Sequence, residues 1–110
     1  MPKKLPGEKY RYIAFGIEGG SFSRSDFLSA LLRTARGTPL KDDFRITVFE
    51  GDFGILKVPH TLKDEAVGVL NSMDEIGGAS CKVTTLRTSG TIKTLKEMYR
   101  HRIRSELRLE

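Results

Sequence analysis

The residues most capable of chemistry are Ser89, Gly90 and Thr91, which open the last predicted helix of this 110-residue sequence. A helix N-terminus has free backbone N–H groups and a partial positive charge, and both attract anions. Gly90 permits close backbone approach, and Lys93 and Lys96 follow within two turns, so the run could bind a phosphate. The alternative is a plain helix cap with Thr91 as the capping residue, which the spacing alone favours. The Gly-Lys-Ser/Thr ending of a Walker loop is absent.

A basic stripe continues along the same predicted helix, which we expect to run from residue 91 to about residue 109. Cations recur every three or four residues, at Lys93, Lys96, Arg100, Arg104 and Arg108. A neighbouring apolar stripe should pack inward; it consists of Ile92, Leu95, Tyr99, Ile103 and Leu107. Five cations along about 20 Å of helix could track several phosphates. A solvated helix surface with pairs such as Glu97–His101 would have the same spacing.

The net charge of +5 is spread unevenly along the chain. Residues 1–36 carry a net +4, residues 37–79 a net −4 and residues 80–110 a net +5. This division predicts one basic face or end, whose natural partner is a polyanion. A solvated basic surface without a partner remains the alternative.

Catalytic and metal-binding patterns are not visible in the sequence. One cysteine, Cys81, and two distant histidines, His60 and His101, exclude an intrachain disulfide and a Cys-based zinc site. We interpret Cys81 as a core thiol in a reducing cytoplasm. The paired acids at residues 42–43 and 74–75 fall at predicted loops or helix ends. Neither a membrane span nor a secretory signal is predicted, and we expect no cofactor on this chain.

The elements that position these residues follow from the apolar periodicity. Residues 1–9 are predicted to form a flexible basic arm and residues 10–110 a single domain. Alternation predicts four strands, at residues 10–18, 44–50, 53–58 and 80–88. Apolar stripes predict two helices before the last one, from about Ser23 to Gly37, with Ser23 or Ser25 as the cap, and from about Thr61 to Gly77. The first stripe consists of Phe27, Leu28, Leu31, Leu32 and Ala35, and the second of Leu62, Ala66, Val69, Leu70, Met73 and Ile76.

The resulting order, β-α-β-β-α-β followed by a helix, predicts an α+β fold of the ferredoxin-like or RNA-recognition-like split βαβ type. It implies a four-stranded antiparallel sheet with the first and third strands in the middle and two helices on one face. On the other face, only Phe53 and Tyr12 could stack on bases, since Ile55 stands where a stacking aromatic is expected. Ala14 and Gly16 instead leave room for another element to cover this face.

Three segments, in the same order, resemble archaeal ribonuclease P protein component 2. They are residues 11–15 (RYIAF), 54–58 (GILKV) and 87–96 (RTSGTIKTLK), and the similarity runs from about Lys9 to Arg100. The resemblance implies an RNA-binding subunit of the ribonucleoprotein that removes the 5′ leader from precursor tRNA. In that enzyme the RNA carries the chemistry, with magnesium ions. It also implies pairing with protein component 3 and only indirect contact with precursor tRNA. In the family, such a pair can form a heterotetramer through contacts between two copies of component 2.

On this reading, a set of cations, hydroxyls and one glycine would contact the ribonuclease P RNA. The main contacts are Arg87, Ser89, Gly90, Thr91, Lys93 and Lys96. Arg100 and Arg104 would extend this surface, and Arg11 and Lys57 are secondary candidates. The connection at residues 37–43 is shorter than is typical of the family. The resemblance therefore does not extend to any contact that family members make through an inserted helix at this position.

Two functions of other classes stay open. In a small-molecule regulatory domain, Gly19-Gly20 and Gly77-Gly78 would line a ligand site between subunits. An acylphosphatase-like hydrolase would need an Arg and an Asn near the loop after the first strand. Arg24 is available there, but Asn71, the only asparagine, is distant in sequence.

Overall fold

The structure is a computed structural model and describes residues 9–103. In chain order its elements are β1 (Tyr10–Glu18), α1 (Arg24–Thr34), β2 (Arg45–Phe49), β3 (Phe53–Pro59), α2 (Lys63–Ser72), β4 (Glu75–Ile76), β5 (Ala79–Ser80), β6 (Lys82–Ser89) and α3 (Ile92–Met98). Short 3-10 turns lie at Pro39–Asp42, His60–Leu62 and Arg100–Arg102. The predicted arm at residues 1–9 lies outside the described residues, apart from Lys9.

The main sheet is antiparallel, with strand order β2-β3-β1-β6, which confirms the predicted α+β fold and its two central strands. β1 alternates as predicted, so that Ile13, Phe15 and Ile17 face α1 and α2. Ser23 caps α1 by accepting a hydrogen bond from the backbone N–H of Asp26, at 3.1 Å. Of the two predicted caps, Ser23 is therefore the one that the helix uses, and the predicted first strand is correct.

The core between the sheet and the two helices is organised around the ring of Phe15. This ring stacks on Phe27 of α1, with centroids 5.0 Å apart, and Phe27 stacks in turn on Phe49 at 5.1 Å. Phe15 also pairs across the sheet with Gly54. A Cβ at Gly54 would lie 2.5 Å from Phe15 Cζ and 2.8 Å from the Val48 carbonyl oxygen. Only glycine fits beneath the ring.

The opposite face of the sheet is covered by α3 and the segment that follows it. Ala14, Phe53 and Ile55 are fully buried there against Leu95 and Ile103. The space predicted above Ala14 is therefore filled by the chain itself. Phe53 has no exposed surface left for stacking on a base, and its ring instead contacts the Tyr99 ring, with centroids 5.2 Å apart.

The predicted end of α2 at Gly77 is wrong. The helix ends at Ser72, and residues 75–80 form a small hairpin whose turn is Gly77-Gly78, both with positive φ. A two-residue turn of this kind strongly favours a hairpin. Ile76, assigned to the apolar stripe of the helix, is still fully buried, because either arrangement delivers its side chain to the core.

The predicted length of the last helix is also wrong within the described residues. α3 ends at Met98, and the 3-10 turn at Arg100–Arg102 brings Ile103 back to the sheet, where it is 2% exposed. The guanidinium of Arg102 holds this segment in place. It lies 4.9 Å from the Phe53 ring centroid and donates to the Asp52 carbonyl oxygen at 3.3 Å. The predicted helical residues beyond Ile103 lie outside the described residues.

One side chain of the predicted α1 stripe is placed differently. Leu32, assigned to the inward face of α1, is 40% exposed, and Ala30 is buried instead.

Asn71 at the end of α2 supports the edge strand β6, where the register shifts. Its amide accepts from the Thr85 backbone N–H at 3.0 Å and donates to the Thr85 hydroxyl at 3.2 Å. Between residues 9 and 103, no helix has the length and apolar character that a membrane crossing requires.

The close approach at Gly54 gives a stability prediction. Gly54→Ala should lower the free energy of unfolding by about 1–3 kcal/mol, because the added methyl overlaps a core ring and a strand carbonyl. Gly68→Ala is the matched control: it adds the same methyl on α2, where a Cβ meets nothing within 4 Å. That change should be neutral or stabilise by up to about 1 kcal/mol. Urea unfolding measures both, and equal effects would contradict the packing argument.

Candidate nucleic-acid interface

One row of side chains crosses the whole sheet at the end where β1 begins. The register pairs Ser89 of β6 with Tyr12 of β1, Tyr12 with Lys57 of β3, and Lys57 with Arg45 of β2. Residues paired in this way share one face of the sheet. With adjacent strands about 4.8 Å apart, the row is about 14 Å long. We call Ser89, Tyr12, Lys57 and Arg45 the cross-strand row.

The loop at residues 89–91 adjoins one end of this row. Ser89 Oγ accepts from the backbone N–H of Thr91 at 3.2 Å, and Thr91 occupies the N-cap position of α3. Its hydroxyl pairs with the Thr94 hydroxyl at 2.8 Å and not with a backbone N–H. The predicted capping position is therefore correct, but the side chain does not cap the backbone. The loop keeps hydroxyl groups at the surface.

Arg11 is brought to the same loop by the first strand. Its Nη1 lies 3.7 Å from the point where a Cβ of Gly90 would stand, and it donates to the Tyr10 carbonyl oxygen at 3.1 Å. Gly90 therefore leaves room for the guanidinium beside the loop. A cation from the start of the domain thus lies against a loop about 80 residues later in the chain.

The remaining predicted site residues are spread over β6 and the C-terminal segment. Arg87 is exposed and pairs with Ala14 next to the β6 bulge. Lys93 is exposed in the first turn of α3, and Lys96 is half-buried one turn later. Arg100 is exposed but follows the end of the helix, so it does not continue the predicted stripe at helical spacing. Arg104 and Arg108 lie outside the described residues.

Arg45 belongs to the row but was not predicted as a site residue. It lies within residues 37–79, whose net charge is −4, so a search for stretches of net positive charge does not find it. The predicted hairpin of the second and third strands could have identified it, because Arg45 and Lys57 are paired across that hairpin and share one face. The Lys57 ammonium lies 4.3 Å from the Tyr10 ring centroid, which keeps it close to the sheet surface.

The arrangement suits the binding of an extended anion better than a reaction. Three cations (Arg11, Lys57 and Arg45) and two hydroxyls (Ser89 and Thr91) lie along one end of the sheet. Such groups bind phosphate oxygens. Among residues 9–103, no three His, Cys, Asp or Glu side chains are grouped closely enough to hold a metal ion.

The glycine runs do not support a ligand site between subunits. A Cβ at Gly19 would lie 2.8 Å from the Ser80 carbonyl oxygen, and one at Gly77 would lie 3.0 Å from an Asp26 carboxylate oxygen. Both glycines thus allow the chain to pack against itself. Arg24, considered for a hydrolase, donates to the Ile46 carbonyl oxygen at 2.8 Å and has a structural role.

Cys81 lies between β5 and β6, partly buried against the core. Burial raises the pKa of its thiol, and the nearby carboxylates of Asp74 and Glu75 raise it further. Since only the thiolate is a good nucleophile, Cys81 is poorly suited to covalent catalysis near neutral pH.

The raised pKa predicts how Cys81 reacts. At pH 7 to 8, alkylation of the folded protein by iodoacetamide should be slower than alkylation of the urea-unfolded chain, and its rate should climb at higher pH than in the unfolded chain. Asp74→Asn with Glu75→Gln should accelerate the reaction of the folded protein, because two charges that oppose the thiolate are removed. An unchanged rate in this variant would contradict the role given to the carboxylates.

Comparisons with known proteins concern the fold and the family of this chain. A chain in the cryo-EM structure of yeast ribonuclease MRP has a similar fold, with a TM-score of 0.56 and 16% sequence identity, over 89% of this chain and 96% of that chain. At this identity the likeness shows the fold alone. No match was found among curated proteins. The model of the Rpp14/Pop5 family matches residues 11–100. Since this match covers most of the sequence, the chain belongs to the Rpp14/Pop5 family, a family of ribonuclease P protein subunits.

Proposed function

We propose that this chain binds the ribonuclease P RNA through the cross-strand row and the adjoining loop at residues 89–91, and that it supplies no catalytic residue. The row carries the proposal because its register places Lys57 and Arg45 in line with Ser89. One strand of a nucleic-acid duplex carries a phosphate about every 3.4 Å of axis. A row about 14 Å long therefore has room for several phosphates.

The protein would act by lowering the repulsion between RNA phosphates. Arg11 and Lys57 would contact phosphates near the loop, and Arg87 and Lys93 would continue the surface on β6 and α3. Arg100, and Arg104 beyond the described residues, are proposed to extend it. The magnesium ions that the reaction needs would belong to the RNA. Cleavage of the precursor-tRNA 5′ leader would then be performed by the RNA, and this chain would meet the precursor only indirectly.

Protein partners complete the proposal. We propose pairing with protein component 3 and a heterotetramer joined by two copies of this chain, in an archaeal cytoplasm. Phe27 and Leu31 of α1 are buried in the protein's own core, so they are not available for this contact. Among the described residues, the large apolar side chains left exposed are Leu32, Leu86 and Met98. These are the candidates for protein contacts.

The RNA surface is tested by the salt dependence of binding. Lys57→Ala with Lys93→Ala should weaken affinity for the catalytic RNA and reduce the slope of log K against log salt by about 1.4–1.8, since each lost phosphate contact removes about 0.7–0.9. Filter binding over a range of salt concentrations measures this.

A control double variant, Lys63→Ala with Lys82→Ala, removes the same charge elsewhere. Lys82 begins the strand that Ser89 ends, about 23 Å away at 3.3 Å per residue, and Lys63 begins α2 on the other face. This variant should keep most of the affinity and slope. Equal losses in the two double variants would show that net charge matters and the row does not.

The assembly is tested by reconstitution. Adding this chain with component 3 to the cognate catalytic RNA should stimulate precursor-tRNA cleavage at low magnesium. Lys57→Ala with Lys93→Ala should lose much of this stimulation, and higher magnesium should restore it, because divalent ions can replace the lost neutralisation of phosphates. If the wild-type chain gave no stimulation, the proposed function would be rejected.

A further inference from the structure

We propose that the cavity at the β2 end of the cross-strand row binds one unpaired guanine base of the RNA. The inference rests on the proposed function and names the feature that the site reads. The cavity has a volume of about 250 Å³ and combines aromatic, cationic and acidic side chains, including Tyr10, Phe44, Lys57, Arg45 and Asp43. Drug-sized ligands occupy about 300–1,000 Å³. This cavity is therefore the right size for a smaller, flat group such as a base.

The aromatic wall favours a flat ligand. Unpaired RNA bases stack on tyrosine and phenylalanine rings. Tyr10 and Phe44 both line this cavity, and Phe44 also packs against the main core. The Lys57 ammonium now lies 4.3 Å from the Tyr10 ring centroid. Lysine is long and flexible, so its ammonium can move to a phosphate while a base takes its place on the ring.

The carboxylates decide which base fits. Asp43 lines the cavity, is exposed, and its carboxylate makes no ion pair or hydrogen bond with any residue from 9 to 103. Asp42 pairs loosely with Lys41, at 3.8 Å, and its side chain is 83% exposed. An ionised carboxylate accepts hydrogen bonds at two oxygens and donates none. Guanine is the base whose Watson–Crick edge presents two neighbouring donors, N1–H and the 2-amino group, so it matches one carboxylate.

The mixed charge of the cavity is explained by this ligand. Two carboxylates beside a phosphate-binding row lower affinity for any polyanion, so a surface that bound phosphates alone would do better without them. Arg45 and Lys57 line the same cavity and can offset this repulsion by binding the phosphates on either side of the base. The acids then contribute selectivity, and the cations contribute affinity.

The test uses the whole protein and short single-stranded RNAs that are identical except for one central base. Fluorescence anisotropy should show about fivefold or greater preference for G over A, C and U, the low end of what a two-bond base contact provides. Inosine, which lacks the 2-amino group, should bind between G and the others. Equal affinity for all the RNAs, or preference for another base, would overturn the guanine assignment.

Asp43→Asn separates base reading from general electrostatics. It should weaken binding of the G-containing RNA, and strengthen binding of the others because a negative charge is lost. Asp74→Asn removes the same charge near Cys81, before the start of β6 and away from the end of β6 that belongs to the cross-strand row. This control variant should leave the preference for G intact. If Asp43→Asn raised the affinity for all the RNAs equally, the guanine-pocket proposal would be rejected, but the proposed RNA binding would not. If the wild-type protein bound neither these short RNAs nor the catalytic RNA, the proposed function itself would be rejected.

Discussion

The burial of β1 on both of its faces is the constraint on which the rest of the structure depends. Ile13 and Phe15 are fully buried against α1 and α2, and Ala14 between them is fully buried on the other side. A strand with two apolar faces needs a neighbour on each edge and a layer on each face. β3 and β6 supply the edges, the two long helices supply one layer, and α3 with Ile103 supplies the other. The register that these contacts impose also aligns the cross-strand row.

Two kinds of cation follow from this architecture. Arg102 is committed to the fold, because its guanidinium lies over Phe53 and contacts Asp52, and it holds the segment that covers the second face. Lys57 and Arg45 instead lie on one face of the sheet at the end where β1 begins, and Arg11, which pairs with Val58 and so belongs to the other face, lies beside Gly90 at the same end. A count of basic residues does not separate these roles, since all four carry the same charge. Their separation depends on where the fold places each cation: Arg102 lies on the segment that covers the second sheet face, and the other three lie at the end of the sheet where β1 begins.

Sequence periodicity predicted those elements whose apolar spacing matched a single local structure. β1 was located to the residue, and Ser23 was one of the two serines predicted to cap α1. The errors lie where a buried side chain was compatible with two structures. Ile76 reaches the core from a hairpin as well as from a helix, and Ile103 reaches the sheet through a 3-10 turn as well as along a helix. In both places a local turn, and not the apolar period, determined the path of the chain.

The sequence by itself determined the order of strands and helices, the family, and the loop at residues 89–91 as the centre of the predicted site. Local spacing and motif order are sufficient for these, because they depend on residues close together in the chain. Only the tertiary structure decided that Arg45 stands in line with Lys57, Tyr12 and Ser89, and that Arg11 lies beside Gly90. It also decided that the basic stripe stops being helical after Met98. These facts depend on strand register and on the covering of the second sheet face, which are set by packing between distant segments.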